Sequence, residues 1–579
     1  MTMLTKWGAA LDRSFPLPEY PRPQLRRESF YNLNGVWDYA VTPSGDEPEV
    51  WDGEIVVPFS PEAPLSGAAR GPAKDEYLHY RRGFTLPEGF QKSRVLLHFG
   101  AVDQIAEVFV NGVSAAKHSG GYWPFSADIT SLLREGENIL RVTVRDNADD
   151  PTFAYGKQRY KRGGMWYTAQ SGIWQTVWLE SVPEVYVKSL RITPEFDEAR
   201  VRIELETALE SSAAITCDVR AADGSFVAGS WAKGGVCVVP LPGFRAWTPD
   251  DPYLYTLDIT YGEDHVESYF AMRKFSYVEL GGHKVFGLNN APLFHNGLLD
   301  QGYYPDGLLT PPSDEAMVND IETMKRCGFN MLRKHIKIEP LRWYYHCDRL
   351  GMIVWQDMVS GGQPYSFLHV SALPTLGKVD LPDQDAKPYG RSGVLSRARF
   401  RREMADTVRL LYNCPCIALW TVFNEGWGQF DALDMANELK KLDPTRFIDH
   451  ASGWQDQGYE EMKSRHIYFR PVKLKNDGRA LALTEYGGYI LAVDGHRWTD
   501  KVFGYRICRN SAALAHDYEK LMLGQVLPHI RKEGLTAAVY TQITDVEEEL
   551  NGLMTYDREV LKIPEETLRE INAALRFDT

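Results

Sequence analysis

Ile417-Ala418-Leu419-Trp420-Thr421-Val422-Phe423-Asn424-Glu425-Gly426-Trp427-Gly428 is the stretch on which the fold turns. Seven apolar or β-branched residues run into an amide and a carboxylate, and the run then stops at glycine. A strand buried on both faces has that composition, and parallel sheets are built from such strands. Sixty residues beyond Glu425 the design recurs in Ala480-Leu481-Ala482-Leu483-Thr484-Glu485-Tyr486-Gly487-Gly488. In a βα barrel the carboxyl ends of the strands share one face, so Glu425 and Glu485 are expected to converge on one pocket. A lone Glu at a strand end is more simply a solvated cap. Two apolar strands that both end in Glu followed by a glycine-containing turn favour the shared pocket.

The surrounding sequence supports a barrel. From residue 279 onward, strand-like runs alternate with helical ones, the signature of βα units. Helices are expected at Asp314–Cys327 with Ser313 as N-cap, Glu339–Leu350, Arg397–Tyr412, Leu433–Leu442 and Ala512–Lys532. Strands fall at Asn330–Arg333, Met352–Asp357, Phe447–Asp449, His466–Tyr468 and Ala537–Ile543, which with the two Glu-ending runs and an opening strand after Leu280 complete eight units in about 300 residues. The Pro- and Gly-rich segment 361–392 reads as a long insertion over the barrel mouth.

Upstream the grammar is different. Residues 1–183 carry short alternating runs such as Arg94–Phe99, Ala106–Val110 and Ile139–Val144, with turn pairs such as Asn111-Gly112. This predicts a jelly-roll β-sandwich. Its aromatics Tyr122, Trp123, Trp166 and Trp174 are candidate sugar platforms, although such residues more often fill a core. Residues 184–278 predict a small immunoglobulin-like sandwich with no chemistry of its own. The expected fold class is therefore multidomain β and α/β, with the (β/α)8 barrel at residues 279–579.

Composition narrows the function. A net charge of −14 over 579 residues supplies no basic field for nucleic acid. No apolar run near Met1–Arg13 resembles a signal peptide, and none elsewhere reaches a membrane span. Seven cysteines are sparse and odd in number, which points to reduced thiols and a cytoplasmic protein. Cys414-Pro415-Cys416 has the wrong spacing for a zinc knuckle and reads as structural.

Paired carboxylates at barrel strand ends suit glycoside hydrolysis. One acid protonates the leaving oxygen while a carboxylate acts on the other side of the anomeric carbon. Separations of about 5–5.5 Å give retention and wider gaps of about 6.5–9.5 Å give inversion. Asn424 suits the sugar hydroxyl next to the reacting carbon, and Tyr468 is placed to hold Glu485 ionised. Trp420 and Trp427 would keep the acid protonated by desolvation.

Asn424-Glu425 after an apolar strand, Thr484-Glu485-Tyr486-Gly487 and the lead-in Asn413-Cys414-Pro415-Cys416-Ile417 together resemble glycoside hydrolase family 2, as does the order of the three domains. The resemblance implies that Glu425 is the acid/base and Glu485 the nucleophile of a retaining exo-β-glycosidase. It gives Asn424 the 2-hydroxyl, Tyr468 a place beside the nucleophile and Asp300 the far hydroxyls. It implies no required cofactor, with magnesium or sodium known in some members. Arg333-Lys334-His335 has one residue between Arg and His where the family has two, and Cys414 stands where the family often has His. Trp427, Trp454 and Asp357 complete the candidate substrate-binding residues.

Among the family's sugars, the sequence points to a β-hexuronide, galacturonide ahead of glucuronide. The Asn-x-Lys clamp of glucuronidases has no copy after Asp545, yet the strand ends are basic: Arg333, Lys334 and Lys337, then Arg470, Lys473 and Lys475. Arg there would pair with a uronate carboxylate. A neutral β-galactoside is the runner-up. A glycan-binding protein without catalysis and a metal-dependent hydrolase using His335, Asp357 and His466 are the other classes. The expected partner is a small carbohydrate or glycoside, without nucleic acid or membrane, and homo-oligomerisation stays open.

Overall fold

Alternating runs in the first third fold into two facing antiparallel sheets of six and four strands. Their inward positions (Trp37, Tyr39, Leu78, Tyr80, Val95, Leu97, Val142 and Leu179 among them) form one core. A sheet of three strands and one of four follow between Val187 and Phe270, packed around Ile203, Cys217, Leu257 and Ile259. The computed structural model describes residues 3–209, 213–375 and 380–578.

The barrel strands are β1 (His295–Asp300), β2 (Met331–Lys334), β3 (Ile353–Asp357), β4 (Ile417–Thr421), β5 (Phe447–Asp449), β6 (Met462–Ile467), β7 (Ala480–Gly487) and β8 (Leu535–Thr541). They form one parallel sheet ordered β5-β4-β3-β2-β1-β8-β7-β6, closed except between β5 and β6. Every residue of β4 and β7 is buried, as continuous apolar runs require in a parallel sheet covered on both faces. A hairpin, Phe275–Leu280 with His283–Leu288, puts Phe286 among Trp355, Phe447 and Ala482, packing that end of the strands with apolar side chains.

Helix boundaries follow local chemistry. Ser313 caps the helix Asp314–Arg326 by accepting the Ala316 N–H at 3.2 Å. The helix expected over Ala512–Lys532 is two helices, Ser511–Leu521 and Leu527–Glu533, joined by a wide turn at Met522–Val526. Pro528 supplies the reason, since it lacks the N–H that would continue the preceding helix. Tyr122, Trp123 and Trp174 are buried in the same apolar cluster as the barrel helices. They are packing between sandwich and barrel, and not sugar platforms. All seven cysteines are buried and unbridged; the Cys416 thiol contacts the Tyr344 carbonyl at 3.7 Å. Among the described residues no helix is long and apolar enough to cross a membrane. The insertion 361–392 is described except for residues 376–379.

Candidate active site at the barrel mouth

The backbone at the end of β4 is unusual. Glu425 sits at φ +53°, a left-handed conformation that costs a non-glycine residue on the order of 1 kcal/mol. Gly426 continues it at φ +72°. Two bonds hold the kink, Glu425 N–H to the Ser452 carbonyl at 2.9 Å and the Trp454 indole N–H to the Glu425 carbonyl at 2.9 Å. The turn aims the Glu425 carboxylate into the barrel mouth, where 22% of the side chain remains exposed.

Glu485 is positioned by a different irregularity. Its ladder to β6 slips between Arg465 and His466, and that to β8 slips between Leu483 and Tyr486. Such slips re-aim a strand's side chains. One carboxylate oxygen of Glu485 accepts from Arg333 Nη1 at 3.1 Å and the other from the Tyr468 hydroxyl at 2.5 Å. Tyr468 also meets Thr541 Oγ1 at 3.1 Å and stacks on Tyr505 with ring centroids 3.9 Å apart.

The two acids face each other. A carboxylate oxygen of Glu425, one of Glu485 and a ring nitrogen of His466 all lie within 4.8 Å of one another. His466 Nδ1 is 2.8 Å from Glu425 Oε1 and 3.6 Å from Glu485 Oε2. Its Nε2 meets Ser452 Oγ at 3.2 Å. Burial pushes this imidazole down to about 3, so the ring is neutral at ordinary pH. A neutral ring that donates from Nδ1 leaves Nε2 to accept from Ser452. Burial also raises the Glu425 carboxyl, against the charges of Lys157, His335 and Arg333.

Arg333 is completely buried and holds the floor of the site together. Its five N–H donors meet five acceptors: Asp357 Oδ1 at 2.9 Å, Asp357 Oδ2 at 3.0 Å, Glu485 Oε1 at 3.1 Å, the Thr484 carbonyl at 3.1 Å and Asn424 Oδ1 at 2.9 Å. Fixing Oδ1 this way turns the Asn424 amide N–H2 away from Arg333. Burial opposes ionisation of Asp357, but Arg333 and His335 outweigh it and hold the carboxyl down to about 2. His335 reaches Asp357 Oδ2 through Nδ1 at 2.8 Å.

Several residues read from the sequence do other work than expected. A saturated guanidinium has no donor left for a substrate carboxylate, so Arg333 is not a uronate clamp. Asp357 is enclosed by Arg333 and His335, with both of its oxygens engaged. Lys334 is spent on Asp300 at 2.7 Å and Glu339 at 2.8 Å, and Lys337 on Glu339 and two carbonyls. Asp300 accepts one bond on each oxygen, from Lys334 and from the Gly302 N–H, and keeps further lone pairs. Arg470, Lys473 and Lys475 lie exposed on the loop after β6. Arg470 has no hydrogen-bond or ion-pair partner there among the described residues, and it stands two residues past Tyr468. Trp420 turns outward and donates to Asp443 at 2.9 Å, away from Glu425. Trp427 is buried against Tyr155 and Trp166, whereas Trp454 braces Glu425 and packs its edge on His466.

The metal reading fails on its own residues. Among the described residues the one set of three or more donors close enough for an ion is Glu425, His466 and Glu485, not His335, Asp357 and His466. His466 as the partner of Glu425 went unread, although it stands two residues before Tyr468 and a strand's alternation turns both to one side.

Two carboxylates facing each other at barrel strand ends, one gripped by two donors and one raised by burial, are the equipment of glycoside hydrolases. Family models agree: "Glycosyl hydrolases family 2, sugar binding domain" matches residues 64–183, "Glycosyl hydrolases family 2" residues 185–273, and "Glycosyl hydrolases family 2, TIM barrel domain" residues 311–473. The chain belongs to glycosyl hydrolase family 2. It is 25% identical over 387 residues to a β-galactosidase of Thermoanaerobacter pseudethanolicus, covering 63% of this chain and 47% of that one. The chain spans about half the length, or less, of the first curated relatives it matches. A β-glucuronidase from an uncultured Clostridium superposes with TM-score 0.74 at 19% identity, covering 95% of this chain and 99% of that one. A β-galacturonidase from Eisenbergiella tayi, solved with glycerol bound, superposes with TM-score 0.70 at 19% identity, covering 97% and 100%.

Proposed function

We propose that the protein is a retaining exo-β-glycosidase that removes terminal β-linked sugars by double displacement. The observation that carries this is that a carboxylate oxygen of Glu425 and one of Glu485 lie within 4.8 Å of each other, closer than the gap an inverting water needs. Glu485 attacks the anomeric carbon, and the Arg333 and Tyr468 donors keep it aligned. Glu425 keeps its proton by burial, delivers it to the leaving oxygen, and then takes a proton from the water that cleaves the glycosyl-enzyme. His466, neutral, steers one Glu425 oxygen so that the other faces the leaving group. The Asn424 amide N–H2 donates to the 2-hydroxyl, where a bond that tightens in the transition state lowers the barrier.

For the sugar, a β-hexuronide stands first, galacturonide ahead of glucuronide, because Lys157, whose charge acts on Glu425, has no hydrogen-bond or ion-pair partner among the described residues. A neutral β-galactoside is the second reading. It is favoured by the internal use of Arg333, Lys334 and Lys337, and by Lys562 being spent on Asp545 at 2.6 Å. A binding protein without catalysis fits poorly with an acid pair so fully supported. Incubation with a 2-deoxy-2-fluoro glycosyl fluoride, followed by peptide mass spectrometry, tests the mechanism. A sugar adduct on Glu485 is expected; product of inverted configuration in an NMR time course sinks it.

A further inference from the structure

The loop 147–170 belongs to the N-terminal sandwich in sequence but to the barrel mouth in space. Tyr155 and Gly156 donate their backbone N–H groups to the Ser360 carbonyl at 3.1 and 2.9 Å, and the Tyr155 hydroxyl reaches the Gly362 carbonyl at 2.7 Å. At the loop's other end the Tyr167 hydroxyl meets Glu549 at 2.5 Å. Gly156 sits at φ +65°, and a Cβ there would stand 3.0 Å from the Ile336 carbonyl. Only glycine lets the chain pass this close to the turn after β2, directly beyond His335. Lys157 is the next residue.

Lys157 differs from the other cations nearby. It is 8% exposed, yet among the described residues its ammonium has no hydrogen-bond or ion-pair partner. Its Nζ lies 5.5 Å from the Trp166 ring, which packs edge-on against Trp427 two residues past Glu425. Arg159 on the same loop is 3.6 Å from Asp149, and Arg162 is 3.6 Å from both Glu547 and Glu548. The charge of Lys157 is felt by Glu425, His335 and Glu549, groups from three separate strand ends. The Lys157 ammonium nitrogen keeps some access to solvent, so it stays free to pair with an anion arriving with the substrate.

We infer that Lys157, carried to the barrel mouth by the sandwich loop, pairs with the carboxylate of a uronic acid at the reacting subsite. The inference rests on the glycosidase reading above and names its substrate class. Lys157→Gln and Lys157→Arg are compared with wild type on p-nitrophenyl β-galacturonide, β-glucuronide and β-galactoside. Lys157→Gln is expected to lose on the order of 100-fold or more in kcat/KM on the uronide that wild type prefers, mainly through KM, as truncating one member of a buried charge pair does. The galactoside should lose far less, and only through the ionisation of Glu425 on which the Lys157 charge acts, and Lys157→Arg should recover part of the uronide loss. Equal losses on uronide and galactoside overturn the inference and mark Lys157 as tuning Glu425. So does a wild type that cleaves the galactoside but neither uronide. A wild type that turns over no β-glycoside overturns the glycosidase reading and this inference with it.

Discussion

Glu425 and Glu485 end two similar apolar strands, but their surroundings are opposite. Glu485 lies on regular β7 backbone beside a ladder slip, with each oxygen taken by a donor from another strand end. Glu425 lies on left-handed backbone, open to the mouth, with one neutral imidazole at 2.8 Å. The first environment fixes the carboxylate in place and the second favours the proton. The same residue type at the same kind of position is thus assigned two roles by its neighbours alone.

The sharpest way to break this contrast is to remove charge from the locked side. Glu485→Gln should lower kcat by about 10⁴-fold or more on every substrate, since no covalent intermediate then forms. A steady-state rate within tenfold of wild type would reverse the assignment. Glu425→Ala should cost about 10²–10⁴-fold on substrates with poor leaving groups. It should cost far less on the first step with p-nitrophenolate or better, with recovery by azide and a β-glycosyl azide as product. Absence of that split would mean Glu425 is not the acid.

Stability probes the scaffold under the pair. Arg333→Met leaves Asp357 and Glu485 buried with their main counter-charge gone, and should destabilise the fold by about 3–5 kcal/mol in urea titration. A midpoint unchanged from wild type would show that the guanidinium is not the keystone its five bonds suggest. The smallest effect concerns pH. Asp357 has its folded value held down to about 2, below the ordinary value near 4. Its stabilisation is therefore present above about pH 4 and fades as pH falls toward 2, on the order of 2 kcal/mol in all. The stability gap between wild type and Asp357→Asn should shrink from pH 5 to pH 2.5, and a constant gap would refute the linkage.

The barrel and its acid pair were legible because burial on both faces leaves a continuous apolar run, and such runs show in one dimension. What cations do there was not legible. Arg333, Lys334 and Lys337 look like a basic rim in sequence, but their counter-ions Asp357, Asp300, Glu339 and Glu485 are brought together only by closure of the barrel. Arg470 looks equivalent and is solvent-facing. Lys157 lies 268 residues before Glu425, on a loop whose reach depends on the docking of two domains, and no periodicity records that.

The seating of the 147–170 loop on the barrel mouth has a consequence for how such proteins diversify. Bond-breaking equipment comes from one part of the gene, while a wall of the same cavity comes from another, far upstream. Recombination that exchanged only the upstream segment would graft a new wall onto an untouched reaction centre. Sugar choice could then drift between descendants while the hydrolytic step stayed the same.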